Sequence, residues 1–395
     1  MKLLHTSDWH LGHTIYNFDR REEQWKMLEQ IAGIVKEKQP DIFILSGDVY
    51  DNSQPSASVQ KMFAEGLDAI HKANPQMHII VTAGNHDSGA RHEVCRIPWN
   101  VMNVKMIGLL DKEDISKHIL EIPGKAFIAA LPYTYEKSIP EGFFKRILEE
   151  IDRRNSDNLP VVMSAHLTVS GCNFAGHDNA SEKIVGGISS YNIDEFGDTY
   201  DYLALGHIHK GQFIPSGKHN IRYSGSPLAV SFDENYSHSV SIVEIEKHGD
   251  KPEVRTVEIT NPKPLVTLPA NGYTDWESAK GLLQQFSDDI DAYIRLNILI
   301  ANPLPQDAKY QAEKIVSGKK CRFCCINAIR KEAVGNSVHT LSVQEFKKED
   351  PMSIAKRYIE GKGYTFTSEM IEMFRTAVER IREDEDGESR NQETR

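Results

Sequence analysis

Asp41-Ile42-Phe43-Ile44-Leu45-Ser46-Gly47-Asp48 is an apolar run of strand length that stops at a glycine and a carboxylate. The same construction recurs along the chain. Lys2–Thr6 runs into Ser7-Asp8-Trp9-His10, and His78–Ala83 into Gly84-Asn85-His86-Asp87. Val161–Ala165 ends in His166, and Tyr202–Leu205 in Gly206-His207-Ile208-His209. Ala126–Leu131 is a further apolar run, and Arg222–Ser224 and Ser239–Ile245 also read as strands. Between the first two runs, Glu22–Lys38 carries Trp25, Leu28, Ile31, Ile34 and Val35 at helical spacing. Short apolar runs alternating with amphipathic stretches over residues 1–260 predict an α/β sheet domain.

In an open α/β sheet the loops at the carboxyl ends of the strands converge on one edge, so the five polar clusters are expected to meet there. Their chemistry agrees. Asp8 and His10 are two apart, as are His207 and His209, and alternate residues of extended backbone face the same side. Carboxylate, imidazole and an amide oxygen together suit divalent ions such as manganese, iron or zinc. Asp48, with two oxygens, is the natural bridge between two ions. The glycines before Asp48, Asn85 and His207 are expected to let the backbone turn sharply. In a chain with 16 histidines each cluster alone is a weak signal. His5, His13, His71, His118 and His219 read as ordinary surface or core residues. Five matching clusters, each at a strand end, are hard to obtain by accident.

A composition break at Thr260-Asn261-Pro262-Lys263-Pro264 ends the first domain. After it, Leu265–Leu268, Trp276–Phe286, Ala292–Ile300, Gln306–Val316 and Cys321–Arg330 read as strand, helix, strand, helix and strand of a small α+β domain spanning 265–341. Residues 342–382 form a helical region with two amphipathic segments, Ser353–Glu360 and Ser368–Arg382. The second carries Met370, Ile371, Phe374, Val378 and Ile381 on one face, and 383–395 reads as a disordered acidic tail. There are five cysteines. Cys321-x-x-Cys324 has the spacing of half a zinc site, but no second pair follows, so these read as small apolar residues of a strand.

The net charge of −11 argues against a protein that grips nucleic acid by bulk positive charge. It leaves open an enzyme whose bound cations or partner subunit supply that charge. No stretch approaches the ~20 apolar residues of a membrane span. The N-terminus does not read as a signal peptide, so a cytoplasmic location is expected.

The order D-x-H, G-D, G-N-H-D, lone H and G-H-x-H resembles the calcineurin-like metallophosphoesterase superfamily. Residues 5–12, 164–171, 204–209, 222–227 and 231–234 narrow the resemblance, which is strong over 1–235, to its bacterial SbcD-type nuclease subunits. That resemblance implies a β-sandwich flanked by helices, with a small α+β capping domain and C-terminal helices. It implies two divalent metal ions, with Mn2+ expected. One would be held by Asp8, His10, Asp48 and His209, the other by Asp48, Asn85, His166 and His207, with His86 the catalytic histidine. Asp51 stands where archaeal and eukaryotic relatives have a second functional histidine, and reads as a capping or ligand-orienting residue.

The resemblance also implies 3′→5′ exonuclease action on double-stranded DNA and endonuclease action on hairpins or blocked ends, in DNA repair, recombination and replication. The partner implied is an SMC-like ATPase subunit, SbcC, on which the C-terminal helices would dock, giving a heterotetramer. A homodimer is expected through Ser58–Ala73 and the segment near Pro98–Val104. No G-x-x-x-x-G-K-[ST] motif occurs, so ATP would be handled by another subunit. The rival readings are a small-molecule or cyclic-nucleotide phosphoesterase of the same superfamily, and a non-catalytic scaffold, which would show degenerate ligands where all seven are present here.

Overall fold

The computed structural model describes residues 1–134, 138–174, 190–215, 219–301 and 303–330, with isolated positions at 356, 359, 366, 367 and 370–374 beyond them. From the N-terminus, β1 (Lys2–Thr6) leads through a hairpin, β2 (Thr14–Ile15) and β3 (Phe18–Asp19), into α1 (Arg21–Lys38). Then come β4 (Ile42–Ser46), α2 (Ala57–Ala73), β5 (His78–Thr82), α3 (Gly89–Asn100) and β6 (Val104–Ile107). The next group is β7 (Ile119–Ile122), β8 (Ala126–Leu131), α4 (Phe143–Arg154), β9 (Val161–His166), β10 (Tyr202–Gly206), β11 (Gln212–Phe213) and β12 (Ile221–Tyr223). Next come β13 (Ser239–Glu244) and β14 (Glu253–Glu258). Last are β15 (Leu265–Leu268), α5 (Trp276–Gln285), β16 (Tyr293–Ile300), α6 (Ala308–Val316) and β17 (Arg322–Arg330).

The sequence pattern does not say how the strands divide. They form two six-stranded sheets, ordered β14-β13-β1-β4-β5-β6 and β11-β12-β10-β9-β8-β7. Leu3, Ile42, Ile44 and Ile80 of the first sheet pack against Ile128, Ala130, Val162, Tyr202 and Ala204 of the second. The alternate residues Leu4, Phe43, Leu45, Ile79 and Val81 face outward and are covered by Met27, Leu28 and Ile31 of α1 and Phe63 and Leu67 of α2. Phe127, Ala129, Met163 and Leu203 do the same on the other side, under Phe143, Ile147 and Ile151 of α4. Both faces of each central strand are therefore buried, which is why these strands read as unbroken apolar runs rather than as an alternation. The result is a β-sandwich flanked by helices.

β1, β4, β5 and β6 pair in parallel, as do β8, β9, β10 and β12. The carboxyl ends of β1, β4, β5, β9 and β10 carry the five polar clusters, and these meet at one edge of the sandwich.

The five segments after Pro264 fold as read, with parallel strands ordered β15-β16-β17 and helices α5 and α6 packed on them. Their own core includes Ala279, Leu283, Ile294, Leu296, Ala312 and Phe323. Cys324 and Cys325 lie in β17 just after Cys321, and all three are free thiols with Cys321 and Cys324 buried. Met1–Arg330 form one compact unit and Lys331–Arg395 a second. In the second, residues 370–374 are helical. Residues 331–341, and most of the two amphipathic segments and the tail, lie outside the described residues.

Candidate metal centre

The loops that leave the strands are held in unusual conformations. Asp8 (φ 55°), His10 (φ 44°), Asp48 (φ 51°) and His207 (φ 96°) occupy the left-handed region, which residues with a Cβ adopt only when their surroundings enforce it. The enforcement is visible. Asp8 N donates to Gly47 O (3.0 Å), His10 N to Asp48 O (3.1 Å) and Leu11 N to Val49 O (2.9 Å), which zips the loops after β1 and β4 together. The Asp87 carboxylate accepts from Val49 N (3.1 Å), Tyr50 N (3.0 Å) and Gly84 N (2.8 Å), and so ties the loop after β5 to the loop after β4.

The three glycines do not all act as turns. Gly47 has φ +83°, but Gly84 and Gly206 do not adopt the left-handed region. What those two provide is space. A Cβ on Gly84 would lie 2.1 Å from Asp48 Oδ1, and one on Gly206 would lie 1.8 Å from Ser46 O. The glycines let the strand ends close in until their side chains converge.

Converge they do. His10 Nε2 lies 3.1 Å from His209 Nε2 and 3.7 Å from Asp48 Oδ2. Asp8, His10 and His209 each offer a ligand atom within 4.8 Å of the others, and so do Asp8, Asp48 and His166. His166 Nε2 lies 2.9 Å from Asn85 Oδ1 and 3.3 Å from Asp48 Oδ2. His207 Nδ1 reaches the same Asn85 Oδ1 at 3.0 Å. All seven sequence-predicted residues thus stand in one cluster, with Asp48 between the His10/His209 group and the Asn85/His166/His207 group. Asp8, His10, Asp48, His166 and His209 are buried, while Asn85, His86 and His207 form the half-buried side. His86 sits on that side with its backbone N–H on Asp48 Oδ1 (2.9 Å), its Nδ1 against Asp51 O (2.8 Å) and its ring 4.8 Å from that of His10.

The electrostatics are those of a site built for positive charge. Burial would raise the Asp48 carboxyl, but His166, and then His10 and His86, hold it well below the usual range. Burial would lower His166, but Asp48 and Asp8 more than offset this and raise it to about 9. Asp8 is raised by burial, against the pull of His166 and His209. His10 is driven far down by burial, which Asp48 opposes.

The donor set fits divalent cations. His166 Nδ1 is bonded to Ser46 O (2.8 Å) and His209 Nδ1 to Glu234 Oε1 (3.0 Å), and a bonded Nδ1 is what orients an imidazole to offer Nε2 to a metal. With Nδ1 holding the proton, Nε2 of His166 and Oδ1 of Asn85 are two acceptors face to face. They need a proton or a cation between them.

Several supporting residues were not singled out by sequence reasoning. Glu234 is fully buried behind His209, Asp87 fastens the two loops, and Ser7 donates to Asp8 Oδ2. The signal for Glu234 lay in Ser231-Phe232-Asp233-Glu234, a stretch that resembles the family without indicating a role. Asp51, read as capping or orienting, contacts His86 through its carbonyl, and its carboxylate lies 3.7 Å from His10 Nδ1. Of the histidines read as ordinary, His5 and His118 are buried core residues bonded to Tyr202 Oη (3.0 Å) and Ala130 O (3.2 Å). His219 is exposed, and His13 lies 3.3 Å from Arg20 Nη1.

The family model for calcineurin-like phosphoesterases matches residues 1–211. The chain is 30% identical over 340 residues to the SbcD subunit of the SbcCD nuclease of Bacillus subtilis, covering 80% of this chain and 84% of that one. It is 29% identical over 302 residues to the SbcD of Rhodobacter capsulatus, covering 69% and 72%. To the SbcD of Escherichia coli K12 it is 26% identical over 319 residues, covering 73% and 74%. None of the helices among the described residues is long and apolar enough to cross a membrane. The chain belongs to the calcineurin-like phosphoesterase family and, within it, to the SbcD group.

Proposed function

We propose that this protein is a two-metal DNA nuclease, cutting duplex ends as a 3′→5′ exonuclease and hairpins or blocked ends as an endonuclease, together with an SMC-like ATPase subunit. One observation carries the reading. Two groups of nitrogen and oxygen donors meet at two buried carboxylates, Asp8 and Asp48, with a histidine, His86, on the open side of the same cluster. Asp8, His10, Asp48 and His209 would hold one ion, and Asp48, Asn85, His166 and His207 the other. Mixed nitrogen and oxygen ligands suit manganese. The relatives' name, that of one subunit of a nuclease, supports a nucleic-acid substrate and a second subunit.

When bound, the ions supply charge to the phosphoryl oxygens and an acidified water. The chain's own residues do the rest. Glu234 and Ser46 fix the His209 and His166 rings. His86, with Nδ1 bonded to the Asp51 carbonyl, exchanges its proton through Nε2 and donates to the departing 3′ oxygen. The left-handed backbone at Asp8, His10, Asp48 and His207 keeps these side chains in place before substrate arrives, so little reorganisation is needed during reaction.

Homodimer formation through Ser58–Ala73 and the segment near Pro98–Val104 has one supporting observation, beside the second of these. Val94, Ile97 and Val101 are 79%, 82% and 86% exposed and lie at spacings of three and four on one face of α3 and its C-terminal end.

The test is incubation with manganese and end-labelled linear and hairpin DNA, beside bis-(p-nitrophenyl) phosphate, with Asp8→Ala as control. Manganese-dependent DNA cleavage absent from the variant supports the nuclease. Ester hydrolysis with DNA untouched, even with the cognate ATPase subunit added, favours the small-molecule reading.

A further inference from the structure

The small parallel sheet after Pro264 touches the metal centre's supports, and the contact is specific. Arg295 of β16 uses every arm of its guanidinium. Nη1 donates to Asp233 Oδ1 (2.7 Å), Nη2 to Phe232 O (3.3 Å), and Nε to Thr267 Oγ1 on the neighbouring strand β15 (3.3 Å). Its charge also lies 5.2 Å from the centre of the Phe232 ring. Thr267 thus fixes the guanidinium from behind while two arms grip the turn Ser231–Glu234 from the front.

The next residue of that turn is Glu234. Its side chain is fully buried, and its Oε1 holds His209 Nδ1 at 3.0 Å. Its other oxygen accepts from Val230 N (3.3 Å) and Ser226 Oγ (3.4 Å). The segment is pinned at its far end as well, where buried Arg20 donates to Ala229 O (2.6 Å). Phe232 packs with Ile15, Tyr293 and Cys324, so apolar contact and the guanidinium act on the same turn. Three contacts and one peptide bond therefore link Thr267, Arg295, Phe232-Asp233, Glu234 and His209 in order. In the Asn85/His166/His207 group, by contrast, His166 is fixed by Ser46 O within the sandwich.

We infer that Arg295 is a positioning residue for the metal centre: by clamping the Phe232 carbonyl and the Asp233 carboxylate it holds Glu234 against His209, and so sets the ion held by the His10/His209 group while leaving the other ion alone. The inference rests on the two-metal reading above and adds to it a selective dependence on a residue outside the phosphoesterase sandwich. An arginine that merely docked the small sheet would affect both ions alike or neither. A guanidinium is required because only a planar fork serves two acceptors of one turn while bonding a third group behind it.

The test uses the full chain and manganese alone, followed by calorimetric titration. In an Asn85→Ala background only the His10/His209 ion remains, and in a His209→Ala background only the other. Arg295→Ala is expected to weaken manganese roughly tenfold in the first background, the low end of what loss of an outer partner costs, and to leave it unchanged in the second. Asp233→Ala, a change on a half-exposed side chain that removes the acceptor of Arg295 Nη1, should give the same split if Arg295→Ala does not fold. Equal weakening in both backgrounds, or no change in either, overturns the inference. If the unmutated chain binds fewer than two ions, it is the two-metal reading itself that fails.

Discussion

His10 and His209 bring their Nε2 atoms to 3.1 Å, closer than two neutral imidazole lone pairs would choose. The rings come from the ends of different sheets and are 73° apart, so stacking does not explain the approach. In the metal-free chain the distance is that of an N–H···N hydrogen bond, with His209, raised by Glu234 against burial, as donor and the neutral His10 as acceptor, and a divalent cation could take the place of that proton.

Glu234 is the outer partner of that pair. Glu234→Gln retains the shape but removes the charge that burial and His209 share. We expect manganese affinity at this position to fall about 10–100-fold, the range for loss of an outer-shell partner. Titration calorimetry reads it, and an unaltered affinity would show that Glu234 serves only the core.

Metal binding should depend on pH through His166. Its folded value is raised to about 9 from the ordinary 6.5, so in the metal-free chain the imidazolium donates to both Ser46 O and Asn85 Oδ1. A raised histidine stabilises the fold fully below the unfolded value, and that contribution disappears as pH rises through the folded one. The chelator-treated chain should therefore lose stability between about 6.5 and about 9. Manganese must displace the same proton, so its affinity should climb across that window. Parallel melting and titration series test both slopes, and a flat manganese affinity would contradict the assignment of His166.

His86→Ala should keep both ions and lose activity by on the order of a hundredfold to ten-thousandfold, the usual worth of a general acid. Metal content and cleavage measured on the same sample separate the possibilities. Loss of metal with normal cleavage per bound ion would make His86 a ligand, a role its proximity to His10 and Asp48 permits.

Ile97→Glu should convert a dimer to a monomer, because Ile97 is 82% exposed at the middle of the Val94/Ile97/Val101 stripe. Light scattering gives the mass directly. A wild-type monomer, or a variant that still dimerises, places the interface elsewhere.

The sequence made much of this arrangement readable, for an identifiable reason. Strands such as Ile42–Ser46 and Val161–His166 are buried on both faces, so their runs are unbroken and the polar residue that ends each one stands out. Parallel pairing then brings those ends together. The division into two sheets came from the family resemblance and not from the periodicity, because Ile128 and Ile44 look alike whether they face a helix or another sheet. Nor was the purpose of Gly84 and Gly206, which depends on Asp48 and Ser46 arriving from a distant part of the chain. Glu234 and Arg295 are ordinary charged residues in the sequence. Only the fold sets one against His209 and the other on the turn that carries it.

The most direct measurement is anomalous diffraction from crystals grown with manganese. The account predicts two peaks, one on each side of the Asp48 carboxylate. One would be bounded by Asp8, His10 and His209, and the other by Asn85, His166 and His207. A single peak, or peaks that do not share Asp48, would contradict it.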